Sequence, residues 1–254
     1  MGEKFEGRNI WTNFTKELGY ATASIQYVEL SLRIASKQFN DELKSKNIVE
    51  LAKRYSLSVS EIPEDFSLRI VKNYIVQIHS CIELFLINYQ NLIGSATYGL
   101  NYDNKNDNRL HWTLTHVFGD MDSDYSQMYR ICDYYRHVRN LIVHQKNDSS
   151  GYRNARGLIS NYQDDKLQAP NSIENLNFDD QVLYARCARK LLKEVYVKTH
   201  YDWAAIVSAY QTQIKQITVK RCDDAIKRNT RIENFLKRIY PVSKSNIDDI
   251  ISVL

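Results

Sequence analysis

Between Phe66 and Gly94 the chain reads FSLRIVKNYIVQIHSCIELFLINYQNLIG, with no proline and no glycine before the last position. Two apolar stripes run along it at helical spacing. Phe66, Ile70, Tyr74, Ile78, Cys81 and Phe85 form one; Val71, Ile75, Ile82 and Leu86 form the other. A helix apolar over so much of its girth needs neighbours on several sides, so it belongs inside a bundle and not on its edge. His79 and Glu83 are polar exceptions, four residues apart on one face. Glycine and proline are scarce throughout, 8 and 3 among 254 residues, which leaves too few turn positions for a many-stranded β architecture. The expectation is an all-α chain, long enough to bury a real core.

The rest of the chain divides around that segment. Val28, Leu32, Ala35, Phe39 and Leu43 recur on one face of an N-terminal helical region. SLSVSEIP (56–63) breaks it, and Pro63, Glu64 and Asp65 suit the first turn of the long apolar helix, which Gly94 would end. A polar loop at 99–110 precedes a short helix, HWTLTHVF, at 111–118. In GDMDSD the alternation of Asp120, Asp122 and Asp124 resembles the start of a calcium loop. However, Tyr125 stands where the sharp-turn glycine is required, and Ile131 where the closing glutamate belongs. Asp124 is expected instead to cap the next helix, with Gln127 completing a capping box. That helix should reach Asn147, and 147–177 reads as a long, polar, irregular connection. Helical periodicity resumes through Val182, Ala185, Leu192 and Val195, and at least one more long helix precedes Pro241.

Composition narrows the functional classes. A formal charge of +4 permits an anionic partner without demanding one. The 18 tyrosines suit helix packing as well as base stacking. Cys81, Cys132, Cys187 and Cys222 are widely spaced, with no CxxC, and read as reduced and mostly buried thiols. Cys132, His137, Cys187 and His200 lack the paired spacing of a zinc site. No Walker loop, dinucleotide fingerprint or nucleophile elbow occurs, so no cofactor is expected. The N-terminus lacks a signal-peptide core, and Glu6 occupies the Ser/Thr position of a myristoylation motif. No stretch reads as a membrane span, and the expected location is the cytoplasm. Basic residues collect near the C-terminus: Lys215, Lys220, Arg221, Lys227, Arg228, Arg231, Lys237 and Arg238. They could follow a nucleic-acid backbone, although a solvated helix face has the same composition.

RHVRNLIVHQ (136–145) is the unusual stretch. On a helical wheel Met128, Ile131, Tyr134, Tyr135, Val138, Leu141 and Ile142 share one arc, the expected core face. Opposite it Asp133, His137, Asn140 and His144 fall nearly in line, flanked by Arg136 and Arg139. Most polar helical stripes are simply solvated. This one lacks the usual lysines and glutamates, and carries groups suited to holding phosphate and moving protons.

Arg139-Asn140-Leu141-Ile142-Val143-His144 resembles the Arg-Asn-x-x-x-His form of the HEPN ribonuclease motif. The long apolar helix before it and a further helix after the following loop resemble the HEPN order of elements, over roughly residues 66–200. The resemblance implies a four-helix up-and-down bundle. Outside it, an N-terminal extension (1–65) and a C-terminal extension (201–254) are expected to add helices, the whole forming one compact unit. The resemblance also implies a metal-independent endoribonuclease of a defence or toxin system, acting as a homodimer on RNA, with a cognate antitoxin or regulatory partner as a further expectation. Toxins of this superfamily that pair with nucleotidyltransferase antitoxins often carry tyrosine two residues after the histidine; here that residue is Lys146.

RNA cleavage without a metal uses the ribose 2′-hydroxyl as nucleophile, and needs a base, an acid and positive charge at the phosphorane. His144 suits the acid and base roles, Arg139 the phosphate, and Asn140 positioning of the ring or donation to a phosphate oxygen. Arg136, His137 and Lys146 are candidate substrate contacts. His137 has an alternative role in a pair with Asp133, and His79 with Glu83 could either support the site or satisfy each other. Two other readings remain at this point. One is a non-catalytic HEPN-like module that binds RNA, a nucleotide or a protein. The other is a scaffold in which Arg139 merely pairs with Asp133 or Glu83.

Overall fold

A computed structural model describes residues 10–38, 53, 56, 65–96, 108–119, 123–144, 149–199, 207–208, 210–219, 225–238 and 250. Among these residues the chain is entirely helical, without strands. The helices are α1 (Ile10–Gln38), α2 (Phe66–Ala96), α3 (Arg109–Phe118), α4 (Ser123–His144), α5 (Ser149–Leu158), α6 (Phe178–Lys198), α7 (Gln211–Val219) and α8 (Ala225–Leu236). The chain forms two compact units that interleave along the sequence. One comprises 1–16, 81–126 and 189–254, the other 17–80 and 127–188, and the divisions fall inside α1, α2, α4 and α6.

In the first unit an aromatic cluster joins three helices. Phe14 of α1 lies 5.1 Å from Phe85 of α2, and Trp11 stacks 6.4 Å from Tyr196 of α6. Phe85 continues into Tyr89, whose hydroxyl bonds to Thr199. Burial drives the Tyr89 phenol up to about 12. Lys198 lies over the stacked rings of Phe118 and Tyr125, its Nζ 5.6 and 4.6 Å from their centroids, and so fastens α6 to both ends of the α3–α4 connection. Gly119 ends α3 in the left-handed region at φ 62°, donating its N–H to Thr115, a conformation that a Cβ would strain.

In the second unit the core is Leu18 and Ile25 of α1, Ile75 and Ile78 of α2, Ile131, Tyr134, Tyr135 and Val138 of α4, and Leu183 and Tyr184 of α6. Each such side chain stabilises the fold by about 1.5–3 kcal/mol through its burial. Tyr135 stacks on Tyr184 at 4.9 Å. Asp180, wholly buried in the first turn of α6, collects four donors: the Tyr135 hydroxyl, the Asn171 amide and side chain, and the Asn177 amide, at 2.8–2.9 Å. This carboxylate ties the segment before α6 to the middle of α4.

Several expectations need correction. The connection at 147–177 is not irregular throughout, because Ser149–Leu158 is a helix. Its glycines and polar residues hide it from a periodicity search, yet Ala155 and the following Ile159 are buried, and tertiary packing supplies what propensity lacks. α2 passes Gly94 and ends at Ala96, and α4 starts at Ser123, which puts Asp124 inside its first turn. Near the C-terminus the described residues form helices of 9 and 12 residues. Leu141 and Ile142 are only half-buried, since α4 leaves the core toward its end. Phe66–Asn91 is, by length and composition, apolar enough to cross a membrane; the same residues Ile75, Ile78, Phe85 and Leu86 that make it so are buried in the protein. Ala35, Phe39, Leu43, residues 57–64, Lys146, Cys222 and Pro241 lie outside the described side chains.

Candidate functional site

The last three turns of α4 carry two cationic clusters that differ in their partners, and both lie within the second unit. The first is closed. Arg136 donates from Nε to Asp133 at 2.8 Å and reaches His137 Nε2 from Nη2 at 2.8 Å. A guanidinium only donates, so Nε2 is the acceptor and the imidazole proton belongs on Nδ1. The 3.7 Å approach of Asp133 to the same Nε2 is therefore secondary, and Asp133 serves Arg136 first. These three side chains are no more than 20 % exposed. α5 presses on them from outside, for a Cβ built on Gly151 would stand 2.6 Å from His137 Cε1 and 2.9 Å from its Nδ1. Only glycine lets α5 approach so closely.

The second cluster is open. Arg139 donates from Nη1 to Asn140 Oδ1 at 3.0 Å, and the same nitrogen lies 3.3 Å from His144 Nε2. No carboxylate pairs with Arg139 among the described residues. Asp133 is held by Arg136, and Glu83 lies 3.5 Å from Arg109. Arg139 Nε is buried without a hydrogen-bond partner. An unsatisfied donor costs about 1–3 kcal/mol, so this guanidinium is held at a cost, with its Nη1 edge turned toward an exposed histidine.

Helix geometry accounts for the meeting. Residues 139 and 140 precede 144 by five and four positions, which brings their side chains to the same end of the helix. His144 occupies the last turn of α4. The expectation that Asn140 positions the histidine ring takes a different form, since its oxygen holds the guanidinium. Arg136, His137, Arg139 and Asn140 are half-buried, and His144 is exposed.

Beneath α4, His79 of α2 is buried and bonds from Nδ1 to the Tyr184 hydroxyl at 2.8 Å. Burial, aided by the positive charges of Arg139 and then Arg136, lowers its pKa to about 3, so His79 is neutral near physiological pH. His79 and Glu83 thus each take a partner from another helix, where the sequence suggested a mutual pair. Tyr184 and Asp180 escaped notice as support for the site. Only the two acids at 179 and 180, opening a helix just after a polar stretch, hinted at Asp180.

Among the described residues no group of three or more histidine, cysteine, aspartate or glutamate side chains is placed to hold a metal ion. Burial raises the pKa of Cys132 well above the usual thiol range. Of the C-terminal cations, Lys215, Lys227, Arg228, Arg231 and Arg238 are exposed, and Lys237 pairs with Glu233. Compared with protein-family models, with curated proteins and with solved structures, the chain matches none.

Proposed function

We propose that this chain is a metal-independent endoribonuclease of the HEPN type. The observation that carries the reading is the contrast between two neighbouring arginines. Arg136 is paired with Asp133, whereas Arg139 has no carboxylate partner among the described residues and stands against the exposed imidazole of His144. A phosphate that met this helix end would find a guanidinium that no carboxylate among the described residues has paired.

The chemistry then follows from the groups present. A base removes the 2′-hydroxyl proton as that oxygen attacks the adjacent phosphorus. The bond to the 5′-oxygen breaks, and an acid supplies the proton that this oxygen takes up. The products are a 2′,3′-cyclic phosphate and a 5′-hydroxyl. Arg139 stabilises the charge that builds on the phosphorane, and Asn140 holds the guanidinium in place. His144 provides one proton-transfer group per chain. A homodimer with two-fold symmetry supplies the second, so that two His144 side chains divide the base and acid roles. Arg136 and His137 shape the approach, and Lys146 is a further cation next to the motif. The activity suits a defence or toxin system in which a cognate antitoxin or another regulatory partner restrains cleavage.

The test is cleavage of a mixed RNA pool in chelator by wild type, Arg139→Ala and His144→Ala. The expected result is cyclic-phosphate ends from wild type, with losses of about 10²–10⁴-fold in His144→Ala and about 10²–10³-fold in Arg139→Ala. Cleavage that survives both substitutions would overturn the assignment. RNA binding without cleavage, equal in wild type and His144→Ala, would identify a binding module instead.

A further inference from the structure

A cavity of about 320 Å³ lies within the second unit, lined by α1, the start of α2 and the segment that leads into α6. Its size falls at the lower end of the range in which small molecules bind. Ile25, Val71, Leu176 and Gln181 form a buried floor, and Arg33 stands exposed at the mouth. Tyr74 and Phe178, both half-buried, add aromatic surface to a wall that is otherwise largely aliphatic. None of the lining residues belongs to the Arg139–His144 cluster.

The polar groups of this cavity are incompletely used. Gln181 is only 2 % exposed, and its Oε1 has no hydrogen-bond partner among the described residues. A buried amide oxygen is costly to leave unpaired, and a donor entering the cavity would relieve it. Three charged residues line the space, and two of them satisfy each other: Arg33 donates from Nε to Glu29 at 2.7 Å. Asp179 is the third. One of its oxygens accepts from the Gln168 amide at 2.8 Å, and no cation pairs with it among the described residues. The unsatisfied group is thus an acceptor, and the uncompensated charge is negative. An anion would be repelled here, and a wholly apolar molecule would leave Gln181 unpaired.

We propose that this cavity binds a small organic amine, a protonated amino group on an aryl or alkyl body, with its N–H donors meeting Asp179 and Gln181. An ammonium group brings three donors and one positive charge, which are what the two residues lack. Its bond to the carboxylate is charge-assisted and supplies the selectivity, while the apolar body fills the space along the wall. The site is built in advance of its ligand. Asp180 ties Asn171 and Asn177 to the first turn of α6, and Asp179 holds the Gln168 amide, so the segment that forms one wall is fixed at both ends.

The inference is independent of ribonuclease activity, because its readout is binding. Calorimetric titration of the full chain would use 2-phenylethylamine, tryptamine and hexylamine, each beside the carboxylate of the same shape: 3-phenylpropionate, indole-3-propionate and heptanoate. At least one amine is expected to bind one-to-one with a dissociation constant below about 1 mM, and its carboxylate counterpart about tenfold more weakly or not at all. Asp179→Asn keeps an oxygen for the Gln168 amide, so circular dichroism should stay unchanged while amine affinity falls by about tenfold or more. Gln181→Met keeps the volume and removes the acceptor. It should weaken the amine and raise the thermal midpoint of the protein without ligand, since no buried oxygen is then left unpaired. A lowered midpoint would show that Gln181 serves the fold, and would overturn the site. So would amines that do not bind, carboxylates that bind equally well, or amine affinity that survives Asp179→Asn.

Discussion

Replacing Asp180 by Asn keeps the size of the side chain and removes what its site requires. One carboxylate oxygen accepts from the Tyr135 hydroxyl and the Asn171 amide, the other from the Asn171 side chain and the Asn177 amide. An amide has one oxygen and an NH2 group, so it turns two donors toward two donors whichever way it is placed. Each donor left without an acceptor costs about 1–3 kcal/mol, and the remaining bonds lose the assistance of the charge. The expected loss is about 3–5 kcal/mol, a large fraction of the ~5–15 kcal/mol that holds a domain folded. Urea unfolding followed by circular dichroism measures it, with an unchanged m-value as the sign of a comparable transition. Because Tyr135 lies one turn before Arg139, cleavage should fall even where the variant remains folded. A loss below about 1 kcal/mol would mean that water replaces the carboxylate, and the account of this node would be wrong.

Further outcomes follow from the same structure. Gly151→Ala places a methyl group 2.6 Å from His137, so overpacking of about 1–3 kcal/mol should outweigh the ~1 kcal/mol gain in helix propensity. Gly157→Ala in the same helix meets nothing within 4 Å and should instead stabilise by about 0.5–1 kcal/mol; comparison of their thermal midpoints checks both. His79, with its pKa down at about 3, binds a proton in the unfolded chain before it does in the folded one. Stability should therefore fall as pH drops below the unfolded value of about 6.5, by about 1.4 kcal/mol per unit toward pH 3. In His79→Gln that slope between pH 4 and 6 should flatten, and equal slopes in variant and wild type would refute the assignment.

The all-helical fold was legible because the apolar spacing of residues 66–94 and 128–138 admits little else, and Ile75, Ile78, Tyr134 and Val138 are buried as their spacing demands. α5 was not legible. Its ten residues include two glycines, and what holds the helix in place is a close approach to His137 that local sequence cannot express. The support around Asp180 was hidden for a related reason. Its partners come from 135, 171 and 177, and a hydrogen-bond network across 45 residues leaves no periodic trace.

The candidate site shows the same limit at closer range. Arg136 and Arg139 are three residues apart, flank the same stripe, and are equivalent by composition. Asp133 makes them different. It stands three residues before Arg136, one helical turn away, and its carboxylate is taken up there at 2.8 Å. Arg139 is six residues beyond Asp133, well over a turn, and finds Asn140 and His144 in its place. Moving the acid by one turn tests whether that offset is what keeps Arg139 available. In Asp133→Asn with Arg136→Asp, a carboxylate enters three residues before Arg139 while its original partner is gone. Arg139 should then be neutralised, and phosphate affinity and any cleavage should fall toward those of Arg139→Ala, although Arg139, Asn140 and His144 all remain. Activity equal to wild type would show that the unpaired charge is not what the helix end contributes.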